Sequence, residues 1–290
     1  MKSVKWYEGV EVREVPIPPI PQGWVLGKVL TAMTYSPKLT GFSEVMIRNV
    51  TLGSFGVVRV VEAGVESNVV VGKIYGVVPF CGVGFLGLDV DGLLSEYSVI
   101  PSTCLIELKG EPIDKYSSLY IEFSYVEELL KIARRLNSAI IVGCDFTSYV
   151  LSLSLKSLVD VTAFCNDEVF KPLHEVGISV RKDLSELRSY DLAIVTENPR
   201  FEITKYLTNA GIIYLTPKQP HITLRYFGQP KKVSLVRPSR FNYGSGRKAL
   251  SGIVKYVLDS NVAFTNDFNE VKNLVEVFPR VSYVASNVKQ

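Results

Sequence analysis

Cysteine and histidine are scarce in this chain of 290 residues: four cysteines, at Cys81, Cys104, Cys144 and Cys165, and two histidines, at His174 and His221. No two of them stand at CxxC, HxxxH or CxxH spacing, so a sequence-local zinc site is excluded and metal chemistry starts out disfavoured. Charge of one sign is also in short supply. The net charge of +3 is too small to call for a polyanionic partner. Long apolar runs are missing, and no stretch approaches the ~20 residues that span a bilayer. The segment from Met1 to Val15 carries Lys2, Lys5, Glu8, Glu11, Arg13 and Glu14, which leaves no apolar signal core. These absences predict a cytoplasmic protein with reduced thiols and no membrane partner.

What is present is the composition of a folded protein, 47% hydrophobic and 21% charged. The length accommodates about two domains. Val25 to Leu30, Gly56 to Val61, Val69 to Val71, Tyr75 to Pro79 and Tyr97 to Ile100 are short runs, mostly valine-rich and punctuated by glycine, and read as strands of a barrel. After Gly110 the character changes. Ser124 with Glu127 predicts a capping-box helix start, and Val126, Leu129, Leu130, Ala133 and Leu136 recur at helical spacing. Strand-like runs at Ala139 to Val142, Val161 to Phe164, Leu192 to Val195, Ile212 to Leu215 and Val233 to Val236 follow. Helical patterns stand among the earlier ones, at Tyr149 to Leu158 and at Val169 to Val176. That alternation predicts βαβ units and a doubly wound parallel sheet. Ala249 to Leu258 and Glu270 to Phe278 read as helices, and Val281 to Ala285 as a last strand.

Particular residues narrow the fold. Gly53, Gly56-Val57-Val58, Glu62-Ala63-Gly64-Val65, Val71-Gly72-Lys73 and Tyr75-Gly76-Val77-Val78-Pro79, followed by Gly92 to Pro101, resemble the GroES-like domain of the medium-chain dehydrogenase/reductase superfamily, the alcohol dehydrogenase relatives. The resemblance implies an α/β protein: a GroES-like β-barrel domain over 1–115, completed by 262–290, and a Rossmann-type doubly wound domain over 116–261. It also implies a homodimer. In zinc-dependent members one ligand is a cysteine where this chain has Tyr35, and a histidine and glutamate stand where it has Ser54 and Phe55. The stretch from Phe80 to Asp91 is too short for the four-cysteine lobe. The expectation is therefore no catalytic and no structural zinc. Tyr35 has two readings: a proton donor in a zinc-free reductase, or a buried tyrosine filling the vacated ligand space.

The turn that would hold a dinucleotide is Gly143-Cys144-Asp145-Phe146-Thr147-Ser148, in which only the first glycine of GxGxxG is kept. Gly143, Asp145, Thr147 and Ser148 are the candidate NAD(P)H-binding residues. A carboxylate at Asp145 about 4 Å from a phosphate oxygen costs on the order of 4 kcal/mol at an effective dielectric of 20. The alternative reading of Asp145 is a helix N-cap. Asp167 is either the acid that grips a ribose hydroxyl or a first-turn acid of the next helix. Lys231, Lys232, Arg237, Arg240, Arg247 and Lys248 form a basic segment with no acid between them. Arg237 and Arg240 are its candidate phosphate contacts, and the alternative is a solvated loop. Lys38, Lys73, His174 and His221 read as solvated or capping groups. Three functions fit: a zinc-independent NAD(P)H-dependent reductase acting on a small molecule, a non-catalytic protein that keeps the fold to bind a protein partner, and, as a minority reading, a phosphate or nucleic-acid binder.

Overall fold

Glycine-punctuated valine runs form strands here because β-branched side chains fit a pleated, buried surface. The structure, a computed structural model, describes residues 1–38, 46–165, 170–199, 201–219 and 232–288. The chain forms two units, one from residues 1–123, 242–247 and 254–290, the other from 124–241 and 248–253.

The first unit opens with β1 (Lys2–Trp6), β2 (Val10–Glu14), β3 (Trp24–Tyr35), β4 (Val50–Thr51), β5 (Phe55–Ala63), β6 (Ile74–Val77), β7 (Tyr97–Pro101) and β8 (Leu105–Glu107), then the buried helix α1 (Ser117–Glu122). Strand β3 is its spine. It pairs antiparallel with β5 along most of its length and with β7 over its first half. Two register shifts against β5, at Leu26/Gly27 and Val29/Thr31, bend and twist the pair as bulges do. Val25, Val29, Val58, Val60, Leu93 and Ile100 fill the core beneath. Gly56 in β5 is required by close approach: a Cβ there would lie 2.3 Å from the Thr31 carbonyl oxygen and 2.9 Å from a Leu93 methyl carbon. Gly56→Ala is expected to cost about 3 kcal/mol through overpacking, read as a lower urea midpoint.

The second unit continues with α2 (Val126–Ala133), β9 (Ser138–Val142), α3 (Phe146–Leu155), β10 (Asp160–Phe164), α4 (Pro172–Glu175), β11 (Ser179–Arg181), β12 (Tyr190–Val195), β13 (Leu207–Leu215) and β14 (Ser234–Val236). All five strand pairings are parallel, in the order β11-β10-β9-β12-β13-β14. Numbered within the unit this is 3-2-1-4-5-6, the Rossmann order, whose direction reverses between β9 and β12. Ile140, Val142, Ala193, Val195, Ile213 and Leu215 form one core of this sheet. The chain then adds α5 (Tyr243–Leu250), α6 (Lys255–Asn261), β15 (Val262–Thr265), α7 (Phe268–Leu274) and β16 (Arg280–Val284). Strand β16 returns to the first unit and pairs antiparallel with β3, from Arg280 opposite Tyr35 to Val284 opposite Thr31.

Several expectations are corrected. Val69 to Val71 form no strand; they lie in an exposed turn between β5 and β6, with Val70 and Val71 more than half exposed, and among the described residues no strand lies alongside to pair with them. Helix α2 takes Tyr125 as its N-cap, one residue past Ser124, and Tyr125 makes no side-chain cap; Glu127 binds Lys131 one turn on at 2.7 Å. The single helix expected over Ala249 to Leu258 is two, α5 and α6, broken at the poor helix formers Ser251 and Gly252. The cysteines are paired, as Cys81–Cys104 and Cys144–Cys165. Strand register explains both pairs. Val77 lies opposite Leu105 and Val142 opposite Phe164, so residues far apart in sequence arrive with Cα atoms 5.0 and 5.2 Å apart, inside the disulfide range. Among the described residues no helix is long and apolar enough to cross a membrane.

Candidate functional site

In an open parallel sheet, ligands bind beyond the carboxyl ends of the strands where the strand order reverses. In the second unit that point lies between β9 and β12. Strand β9 ends at Val142, whose carbonyl accepts from the N–H groups of Thr196 and Glu197 just past β12, at 3.0 and 3.1 Å. Gly143 follows with φ +130°. A Cβ there would lie 2.1 Å from Thr196 Oγ1 and 3.1 Å from Glu197 Cγ, so only glycine lets the chain pass. This is the close backbone approach that a pyrophosphate turn uses.

The side chains around the turn do something else. Asp145 is the N-cap of α3, in extended conformation, and its Oδ1 accepts from both the N–H and the hydroxyl of Ser148 at 3.0 Å. Its Oδ2 lies 2.5 Å from Nζ of Lys218, a lysine whose side chain is only 8% exposed. Glu197 Oε1 accepts from the backbone N–H of Cys144 at 3.3 Å. Two of the N–H groups that would receive a phosphate are therefore held by the chain's own carboxylates. Ser148 Oγ also lies 2.8 Å from Thr196 Oγ1, and Thr147 is buried in the first turn of α3. Cys144 itself is bonded to Cys165, just past the end of β10.

Of the other candidate residues, Arg237 belongs to this neighbourhood through a relay: its Nη1 donates to the Gln219 carbonyl at 3.0 Å, and Gln219 Nε2 donates to the Thr196 carbonyl at 2.7 Å. Burial lowers the pKa of Arg237 from its ordinary value. Arg240 is exposed beside α2, where its N–H and both donors of Ser239 bind Glu128. Arg247 belongs to the first unit and pairs with Glu111 at 3.4 Å. Arg237, the Arg240 backbone N–H and Arg247 thus go to three separate acceptors. Asp167, His221 and Lys231 lie outside the described residues. His174 is exposed on α4.

Tyr35 lies in the first unit, at the end of β3, and is 2% exposed. Its hydroxyl donates to Glu122 Oε1 at 2.8 Å. Arg280, at the start of β16, brings Nε to within 3.1–3.2 Å of both Glu122 oxygens and Nη2 to within 3.0 Å of Oε1, and its guanidinium carbon lies 5.2 Å from the centre of the Tyr35 ring. The Phe55 ring meets the Tyr35 ring edge-on at 6.1 Å, and Ser54 is buried beside it in sequence. Where the family resemblance puts zinc ligands, a buried guanidinium and carboxylate sit with a tyrosine. Lys38 is exposed and bound to Glu276, and Lys73 lies 3.6 Å from Glu107.

Glu122, Arg280, Glu197 and Lys218 were not singled out by sequence. A usable signal exists for the last two: in a parallel sheet the residues just past each strand face the ligand crevice, and they follow Val195 and Leu215 closely. Glu122 is the one charge in a short, wholly buried helix, but nothing local to it indicates Arg280, 158 residues away.

Solved structures similar to this chain include dehydrogenases. The alcohol dehydrogenase TADH from Thermus sp. ATN1 matches with a TM-score of 0.68 at 15% identity, covering 98% of this chain and 100% of that one. Glucose dehydrogenase from Haloferax mediterranei, in complex with NADP, Zn and gluconolactone, matches with a TM-score of 0.66 at 13% identity over 99% and 100%. A short chain alcohol dehydrogenase from E. coli CFT073, complexed with NADH, matches with a TM-score of 0.63 at 18% identity over 98% and 99%. No family model matches the sequence, and no curated protein does. At these identities the likeness is one of fold: the α/β architecture of the medium-chain dehydrogenases, a GroES-like β domain with a Rossmann domain.

Proposed function

We propose that this chain is a zinc-independent, NAD(P)H-dependent oxidoreductase-like protein whose cofactor binding is weakened by its own side chains. The observation that carries the reading is the Gly143 turn, which keeps the backbone path of a pyrophosphate site at the reversal between β9 and β12 while Asp145 and Glu197 occupy its N–H donors. A bound nicotinamide would supply hydride chemistry. The chain's part is to receive the pyrophosphate at Gly143 and the α3 N-terminus, with Lys218 as the nearby cation. Metal independence is supported by the donor set: Tyr35, Ser54 and Phe55 offer no thiolate, imidazole or carboxylate, and Glu122 is already bound by a guanidinium. Titrating the protein into NADH and into NADPH, and following nicotinamide fluorescence, is expected to give a dissociation constant of roughly 0.1–1 mM. A flat titration with both forms overturns the proposal.

A second reading, a non-catalytic protein that keeps the fold to bind a protein partner, is favoured by one observation. The Tyr35 hydroxyl, the one candidate proton donor, points its hydrogen at a carboxylate and is almost wholly buried. The flat titration that sinks the first reading is the result this one requires.

A further inference from the structure

The Cys144–Cys165 bond lies where the backbone would have to yield. Cys144 is the second residue of the dinucleotide-type turn, and Cys165 directly follows β10, so the bond ties the turn to the end of the neighbouring strand across the β9–β10 pair. On the other side the turn is held by β12, through Thr196 against Gly143 and through the Glu197 carboxylate on the Cys144 N–H. The two cysteines differ in exposure, since Cys165 is 1% exposed while Cys144 is half-buried. The turn is thus clamped from both sides, and the covalent clamp has its more exposed residue, Cys144, in the turn itself.

We infer that the Cys144–Cys165 bond is a redox latch on the turn. Oxidised, it fixes the conformation in which Glu197 and Asp145 hold the turn's N–H groups; reduced, it releases Cys144 so that the turn opens and a dinucleotide displaces those carboxylates. The reductant is a dithiol, small or protein-borne. Its thiolate attacks Cys144 Sγ, the Cys165 sulfur leaves as a thiolate and takes up a proton, and the second thiol of the reductant then displaces Cys144. Two electrons pass from the dithiol, which ends as a disulfide, and the protein gains two thiols. The Cys81–Cys104 bond lies in the first unit, away from this turn in the chain, and has no part in the latch.

Release of the turn on reduction does not depend on what binds there, whereas dinucleotide access rests on the proposed function. One experiment separates them. Amide hydrogen exchange of peptides covering residues 143–148 is measured on the full chain, oxidised and after dithiothreitol, alongside NADH and NADPH titrations of both forms. The expected result is exchange at least tenfold faster after reduction, with dinucleotide affinity raised at least tenfold. Cys144→Ser/Cys165→Ser should exchange fast in either condition, and Cys81→Ala/Cys104→Ala should keep the response. Equal exchange in the oxidised and reduced wild-type chain overturns the latch, as does failure of millimolar dithiothreitol to reduce the bond in the native protein. Faster exchange with no dinucleotide binding in either form supports the latch and overturns the dinucleotide reading instead.

Discussion

Arg280→Met is expected to lower the unfolding free energy by about 3–5 kcal/mol, the cost of leaving a buried carboxylate without its cation. Glu122 and Arg280 are 2% and 1% exposed, and three donor contacts join them, so water cannot replace the lost partner. Much of that loss is the desolvation of Glu122, not the worth of the pair. Arg280→Met combined with Glu122→Leu and Tyr35→Phe, which removes the guanidinium, the carboxylate and the phenol hydroxyl together, should therefore recover most of it. Urea unfolding followed by tryptophan fluorescence reads this directly, because both tryptophans, Trp6 and Trp24, belong to the first unit with the pair. The midpoint should fall with an unchanged slope. A single variant as stable as the wild type would overturn this expectation.

Asp145→Gly is expected to tighten NADH or NADPH binding by about a hundredfold. A carboxylate near 4 Å from a phosphate oxygen costs about 4 kcal/mol at an effective dielectric of 20, and Lys218 at 2.5 Å already cancels part of that charge, so somewhat less than the full penalty returns. The substitution also frees the Ser148 N–H and releases Lys218 to face the phosphate. It removes the N-cap of α3 as well, a loss of only a few tenths of a kcal/mol for glycine in that position. Affinity and stability should therefore move in opposite directions by unequal amounts. An unchanged titration would mean that Asp145 is not what weakens the site.

How much of this was legible in the sequence depends on the range of the interaction that decides it. The parallel sheet announced itself, because β9, β10, β12 and the last four residues of β13 are mostly buried and read as largely apolar runs. So did the turn after β9, whose glycine and aspartate sit within a few residues of each other. The partners that set the chemistry were hidden. Lys218 reaches Asp145 from 73 residues away, and Arg280 reaches Glu122 from 158. Both are fixed by strand order and register, which hydrophobic periodicity does not encode. The disulfides were missed for the same reason, and with them the premise of reduced thiols.

The pairing of β16 with β3 also sets a timetable for synthesis. Glu122 leaves the ribosome 158 residues ahead of Arg280, an interval of roughly 8–30 s at about 5–20 residues per second. During that interval the first unit lacks β16, and the Glu122 carboxylate lacks its guanidinium. The second unit is nearly contiguous and has the six strands of its described sheet by residue 236. A nascent chain thus completes its later unit first, while the earlier one waits with part of the β3 edge open to misassembly.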